Sequence, residues 1–311
     1  MNAAALADRS PPPGRLVRIV AGTDFSVAAA QALSRAAELA RTHGAHLLLV
    51  HVVPSALWED AGIALAATVG ATMPSPQALQ LDAQERLERE AQDLAAHYGL
   101  SCSAEAAWGR PAVELGRRAA AADLLVVGGH GAHPQPSPCV GATAQKLLRL
   151  APSPVLIVKR DPVHEYRTLL LPTDFSAPAR AALVATAAWW PHARLHLAHA
   201  FELPADGYLR HADIDVTAVA AVQAAARARL LGELAAWADG AGVDLARRRL
   251  HVEHGYAPER IDRWARTLHA DLVAISAHGR AELERALLGS VSLHTALAAP
   301  CDVLLLRADA A

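Results

Sequence analysis

The pentapeptide Gly22-Thr23-Asp24-Phe25-Ser26 returns 150 positions later as Pro172-Thr173-Asp174-Phe175-Ser176. Each copy follows an apolar, strand-like run and precedes an alanine-rich, helix-like run. Further on, Gly131 matches Gly279, Gly141 matches Gly289 and Val155 matches Val303, each at a spacing of 148. A period this long is a duplicated domain and not a solenoid repeat. The 311 residues suit two domains, each large enough to bury its own core. The expected division is a disordered tail over 1–15, a first unit over 16–160, a linker over 161–166 and a second unit over 167–308.

Within the first unit the pattern predicts strands at 17–23, 46–53, 101–107, 124–128 and 155–159, with helices at 27–42, 76–98, 111–121 and 141–150. The second repeats the order, with strands at 168–173, 194–201, 246–253, 272–276 and 303–307 and helices at 178–190, 215–241, 258–269 and 289–298. The runs Leu124-Leu125-Val126-Val127 and Val155-Leu156-Ile157-Val158 are apolar without alternation, as strands covered by helices on both faces are. The expected fold is therefore α/β: two tandem, doubly wound, Rossmann-like parallel sheets, with ligand sites at the carboxyl ends of the strands. The fifth strands would lie at sheet edges and need covering.

Composition narrows the function classes. A net charge of −2 supplies no global field for nucleic acid or an anionic membrane, so neither partner is expected. With 53% hydrophobic residues and no apolar run of membrane-spanning length, a soluble globular chain is expected. The first fifteen residues do not read as a secretory signal, and Cys102, Cys139 and Cys301 form no CxxC, which together suggest a cytoplasmic setting.

After the fourth strand come Gly128-Gly129-His130-Gly131, nine residues, and Gly141-Ala142-Thr143 opening a helix. Its counterpart is Ser276-Ala277-His278-Gly279, nine residues, and Gly289-Ser290-Val291. Small residues at a strand end let backbone N–H groups approach an anion, and a helix N-terminus adds open donors and a favourable dipole. The same small residues would equally permit tight helix–sheet packing with no ligand.

In this order and spacing, the strand-one aspartates, the Gly-x2-Gly-x9-Gly-Ser/Thr pattern and the closing Ser153-Pro154-Val155-Leu156 and Cys301-Asp302-Val303-Leu304 strands resemble the universal stress protein family in tandem form. The resemblance spans nearly all of 16–307 and implies adenine nucleotide, ATP with or without Mg2+, in one or both units. It also implies fifth strands that pair across a dyad, so that the two halves form an intramolecular pseudo-dimer and two chains a homodimer through edge strands. It implies Asp24 and Asp174 at the base, with backbone near Val52 and Ala200 beside it. Gly128, Gly131, Gly141, Ala142 and Thr143 would line the first site, and Ser276, His278, Gly279, Gly289, Ser290 and Val291 the second.

Both units depart from the family pattern. Ala142 lacks the phosphate-binding hydroxyl, a loss of about 0.5–1.5 kcal/mol, and Pro134, Pro136 and Pro138 stiffen the first loop. Ser276 replaces the first glycine and would cost about 1–2 kcal/mol if that position needs positive φ. The second site is the expected stronger one. No catalytic residues are identified: there is no GxxxxGK[ST], and Lys159, one of only two lysines, is placed at an edge strand far from the site. Any ATP hydrolysis is expected to be slow and incidental.

The expected function is a non-catalytic, stress-responsive sensor acting on an unidentified signalling partner. A nucleotide-free scaffold is the alternative, and a slow ATPase or metal-binding variant a lesser one. No metal site is expected from the histidines, because His196 and His199 point to opposite faces of one strand, as do His251 and His254. His130 and His278 could bond an anion or cap a turn.

Overall fold

The structure is a computed structural model, which describes residues 14–55, 74–131, 140–162, 164–203, 216–277 and 288–307. The first half runs β1 (Arg18–Thr23), α1 (Val27–His43), β2 (His46–Pro54), α2 (Pro76–Tyr98), β3 (Cys102–Gly109), α3 (Pro111–Ala119), β4 (Leu124–Gly128), α4 (Ala142–Leu150) and β5 (Val155–Val158). The second runs β6 (Thr168–Pro172), α5 (Ala177–Trp189), β7 (Arg194–Phe201), α6 (Val216–Asp239), β8 (Arg248–His254), α7 (Ala257–Thr267), β9 (Leu272–Ser276), α8 (Ser290–Ala298) and β10 (Asp302–Leu306). The repeated serine explains why α1 and α5 begin where they do. Ser26 Oγ accepts from Ala29 N and Ser176 Oγ from Ala179 N, each at 3.2 Å, satisfying one orphan donor of the first turn.

Among the described residues ten strands form one sheet, ordered β3-β2-β1-β4-β5-β10-β9-β6-β7-β8. Pairing is parallel within each half and antiparallel only at β5 and β10, where Leu304 lies opposite Leu156. Those two leucines are 148 apart, the repeat spacing, so a pseudo-twofold axis passes between them and the halves form one intramolecular dimer. Helices α1, α2, α5 and α6 cover one face of the sheet and α3, α4, α7 and α8 the other. That double cover is why β1, β4, β5, β9 and β10 are buried along nearly their whole length.

The seam is held by more than strand pairing. Lys159 Nζ donates to Ala299 O at 2.9 Å, at the carboxyl end of α8, and Arg307 Nη2 donates to Leu148 O at 2.8 Å in α4. Each half thus caps the other's fourth helix with a cation, where the helix dipole favours one. Asp302, only 1% exposed, accepts from Lys159 N, Arg160 N and the Tyr166 hydroxyl. Arg35 lies 4.0 Å over the Tyr166 ring and donates to His164 O, pinning the linker to α1.

Two expectations change here. Lys159 is at no free edge, and it is not remote from the glycine turn: a Cβ on Gly129 would lie 3.1 Å from its Cγ. Because β5 and β10 satisfy each other, the fifth strands are not open to a second chain, and the outer edges are β3 and β8. Side chains cover parts of both. Gln84 of α2 accepts from Ala106 N at 2.7 Å and donates to Ala104 O, while Arg227 of α6 donates to Val252 O. Occupied edge groups are poor templates for adding a strand.

Candidate functional site

The Thr-Asp-Phe-Ser turns stand at the carboxyl ends of β1 and β6. In the first, Phe25 N donates to Thr23 Oγ1 at 3.0 Å and Ser26 N to Asp24 Oδ1 at 3.1 Å. In the second, Phe175 N donates to Thr173 Oγ1 and Ser176 N to Asp174 Oδ1, both at 3.0 Å. Both phenylalanines are left-handed, at φ 61° and 65°. A bulky residue there costs on the order of 1–3 kcal/mol, so the threonine and aspartate bonds hold a turn the chain would otherwise leave.

A histidine supports each turn; His51 was not singled out in the sequence, and His199 was weighed there only as a metal ligand. His51 stacks on Phe25 with ring centroids 4.5 Å apart, and His199 lies 4.4 Å from Phe175. Their Nδ1 atoms sit 2.9 and 2.8 Å from the carbonyl oxygens of Thr23 and Thr173. A carbonyl only accepts, so Nδ1 carries the hydrogen in both rings. Burial pushes His51 below the ordinary histidine value, with its bond to Thr23 opposing. The signal was available, since His51 and His199 are also 148 apart and each directly precedes a residue that was named, Val52 or Ala200.

Opposite the first turn, Gly128 closes β4. A Cβ there would lie 2.8 Å from Ala28 O and 2.9 Å from Ala28 C, so the bare Cα lets α1 approach the sheet. Gly131 faces Asp24, whose Oδ2 would be 2.8 Å from its Cβ. Gly141 N donates to Gly129 O at 2.8 Å, which places the N-cap of α4 against the glycine turn. No side chain caps that helix, and Ala142 and Thr143 are exposed in its first turn. The structure therefore brings Asp24, Gly128, Gly131, Gly141, Ala142 and Thr143 to one end of the sheet. Val52 is buried in β2 one residue past the pairing of His51 with Thr23.

In the second half, Gly289 N donates to Ala277 O at 3.0 Å, and α8 likewise starts without a side-chain cap, with Ser290 exposed and Val291 half-buried. Ser276 is buried, and its carbonyl accepts from Ser292 Oγ at 2.8 Å. The anticipated strain at Ser276 does not arise. Among described non-glycine residues positive φ occurs only at Phe25, Phe175 and His269, and Gly128 is also outside that region. The demand at the first-half position is steric, not conformational. His278 and Gly279 lie outside the described residues, as do Pro134, Pro136 and Pro138. Ala200 is half-buried near the end of β7.

A cavity of about 250 Å³ beside the first turn is lined by Phe25, Ser26, Ala30, Arg86, Arg89, Glu90 and Asp93. Arg86 sits 4.0 Å over the Phe25 ring. None of the glycine-turn residues lines it, and it is smaller than the pockets that enclose drug-sized ligands. Among the described residues there is no cluster of three or more metal-ligating side chains.

Comparison with known proteins agrees with the duplication. The universal stress protein family model matches residues 17–159 and again 165–307. The chain belongs to the universal stress protein family. A universal stress protein from Archaeoglobus fulgidus DSM 4304 is similar in structure, with a TM-score of 0.64 and 17% identity over 93% of this chain and 98% of that one. A putative universal stress protein from Pseudomonas aeruginosa UCBPP-PA14 gives 0.63 and 21% over 94% and 93%. At these identities the likeness concerns the fold: both are matched along the whole tandem length, so this universal stress protein shares its two-half layout. Among curated proteins none matches the chain.

Proposed function

We propose that this universal stress protein binds adenine nucleotide, ATP with or without Mg2+, in one or both halves and serves as a non-catalytic sensor. The observation that carries the reading is the first site's juxtaposition. Asp24, the bare backbone of Gly131 and the uncapped start of α4 at Gly141 meet at one end of the sheet. A carboxylate beside glycine backbone suits a base and ribose, and open helix N–H groups suit phosphates. In the second half, Asp174 sits in an equivalent turn, and Ser290 adds a hydroxyl to the first turn of α8 that Ala142 cannot provide. That favours the second half as the tighter site. Occupancy would change the surface a signalling partner meets.

The ligand-free scaffold reading draws on one observation, that Gly128 is already required by the approach of Ala28. Calorimetric titration of nucleotide-stripped protein with Mg-ATP separates the two readings, with Asp24→Ala and Asp174→Ala read alongside. We expect saturable binding that Asp174→Ala weakens most, and phosphate release at no more than a slow background rate. No heat and no thermal stabilisation at millimolar nucleotide would leave the scaffold standing.

A further inference from the structure

Strands β7 and β8 pair in parallel with Ala198 opposite His251, which puts His196 and His251 on the same face of the sheet, beneath α7. Their rings lie nearly parallel, 16° apart in plane and 5.1 Å between centroids, and His196 Nδ1 is 2.9 Å from His251 Nε2. His196 is 7% exposed, and its other nitrogen, Nε2, is buried with no hydrogen-bond partner. The Trp264 ring of α7 lies 6.4 Å from His251. At the corresponding place in the first half stand Leu48 and Glu105, and Arg118 of α3 bonds Glu105 there. At this place one half has an apolar residue and an ion pair and the other two imidazoles; the first half's own imidazole between outer strands, His46 at the start of β2, bonds the hydroxyls of Ser101 and Ser103 and faces no second ring among the described residues.

We propose that the His196–His251 pair is an acid-sensitive clasp that holds β8 and α7 onto the second half, releases them on mild acidification, and leaves the first half closed. Two neutral imidazoles share one N–H···N bond. A first added proton leaves a cation in a buried site, and a second sets N–H against N–H at the same contact and ends the bond. The charged groups around the pair give little relief. Arg194 on β7 and Arg249 on β8 repel an imidazolium. Glu253 on β8 attracts one, but it already accepts from Trp264 Nε1 at 2.9 Å and pairs with Arg260 and Arg263 of α7 at 3.7 and 3.5 Å.

Burial, reinforced by His251, pushes His196 down to about 4, and burial lowers His251 as well. A base whose folded value lies below its ordinary 6.5 contributes its stability fully above pH 6.5 and loses it as pH falls toward 4. If His196 alone titrates over that window, the closed-to-open ratio of the clasp falls by up to about 300-fold.

Hydrogen exchange of the full chain, corrected for intrinsic rates, tests this between pH 7.5 and 4.5. Peptides from 248–267 should lose at least tenfold protection as pH falls, while those from 102–119 hold theirs. In His196→Leu, which restores the residue found at position 48, the loss should disappear. Should that variant fail to fold, His196→Gln offers His251 a hydrogen-bonding partner that cannot titrate and is read the same way. Equal pH dependence in the two peptide sets, or an undiminished loss in the variants, overturns the clasp. So would NMR titration of both rings at their ordinary value.

Discussion

At the ends of β1 and β6 the two halves make the same bonds. Threonine hydroxyl takes the phenylalanine N–H, aspartate takes the serine N–H, serine caps the helix, and a histidine ring lies against the phenylalanine. Under their third helices they differ, with Leu48, Glu105 and Arg118 in one and His196, His251 and Trp264 in the other. The strained left-handed phenylalanine tolerates few alternatives, so its supporting bonds occur as a set. Space between a helix and an outer strand pair can be filled in several ways at similar free energy.

The comparison breaks most forcefully at the seam. Asp302 has Pro154 as its counterpart, so the anchor exists in only one half. Asp302→Ala strands the N–H groups of Lys159 and Arg160 and the Tyr166 hydroxyl, and should lower unfolding free energy by about 3–5 kcal/mol in denaturant titration. Near the glycine turns, Gly128→Ala should cost about 1–3 kcal/mol because the new Cβ meets Ala28 O at 2.8 Å. Ser276→Ala at the matching place should cost less than about 1 kcal/mol, and equal costs would mean that the halves share the same close approach.

The shared turns offer a sharper test. Ser26→Ala and Ser176→Ala each remove one N-cap bond and should each cost about 1 kcal/mol by thermal unfolding. A large inequality would show that the two turns are alike in geometry but not in energy. A small effect is also expected at the sheet edge. Gln84→Ala uncovers Ala106 N–H and Ala104 O for roughly 0.5–1.5 kcal/mol and should raise self-association by light scattering.

What could be read along the chain was read well where one residue type has one dominant cause. Unbroken apolar runs marked β4, β5 and β10, and the family resemblance implied the pairing of β5 with β10. Histidine was harder. His196 and His199 do face opposite sides of β7, as expected, but the partner of His196 is on β8, and only the cross-strand register brings it within 2.9 Å. Ser276 was misjudged for a related reason, because a glycine replaced in one half could have answered to φ or to a neighbour's approach. The sequence does not show which.

By itself the sequence determined the duplication, the order of strands and helices and the small-residue turns, because these rest on local periodicity and on residues with no side chain to place. Only the tertiary structure decided that Lys159 reaches the other half's helix, that Phe25 and Phe175 are held left-handed by their neighbours, and that two histidines 55 positions apart meet. Those outcomes depend on register and on the distance between helices and sheet, which arise when distant segments pack together.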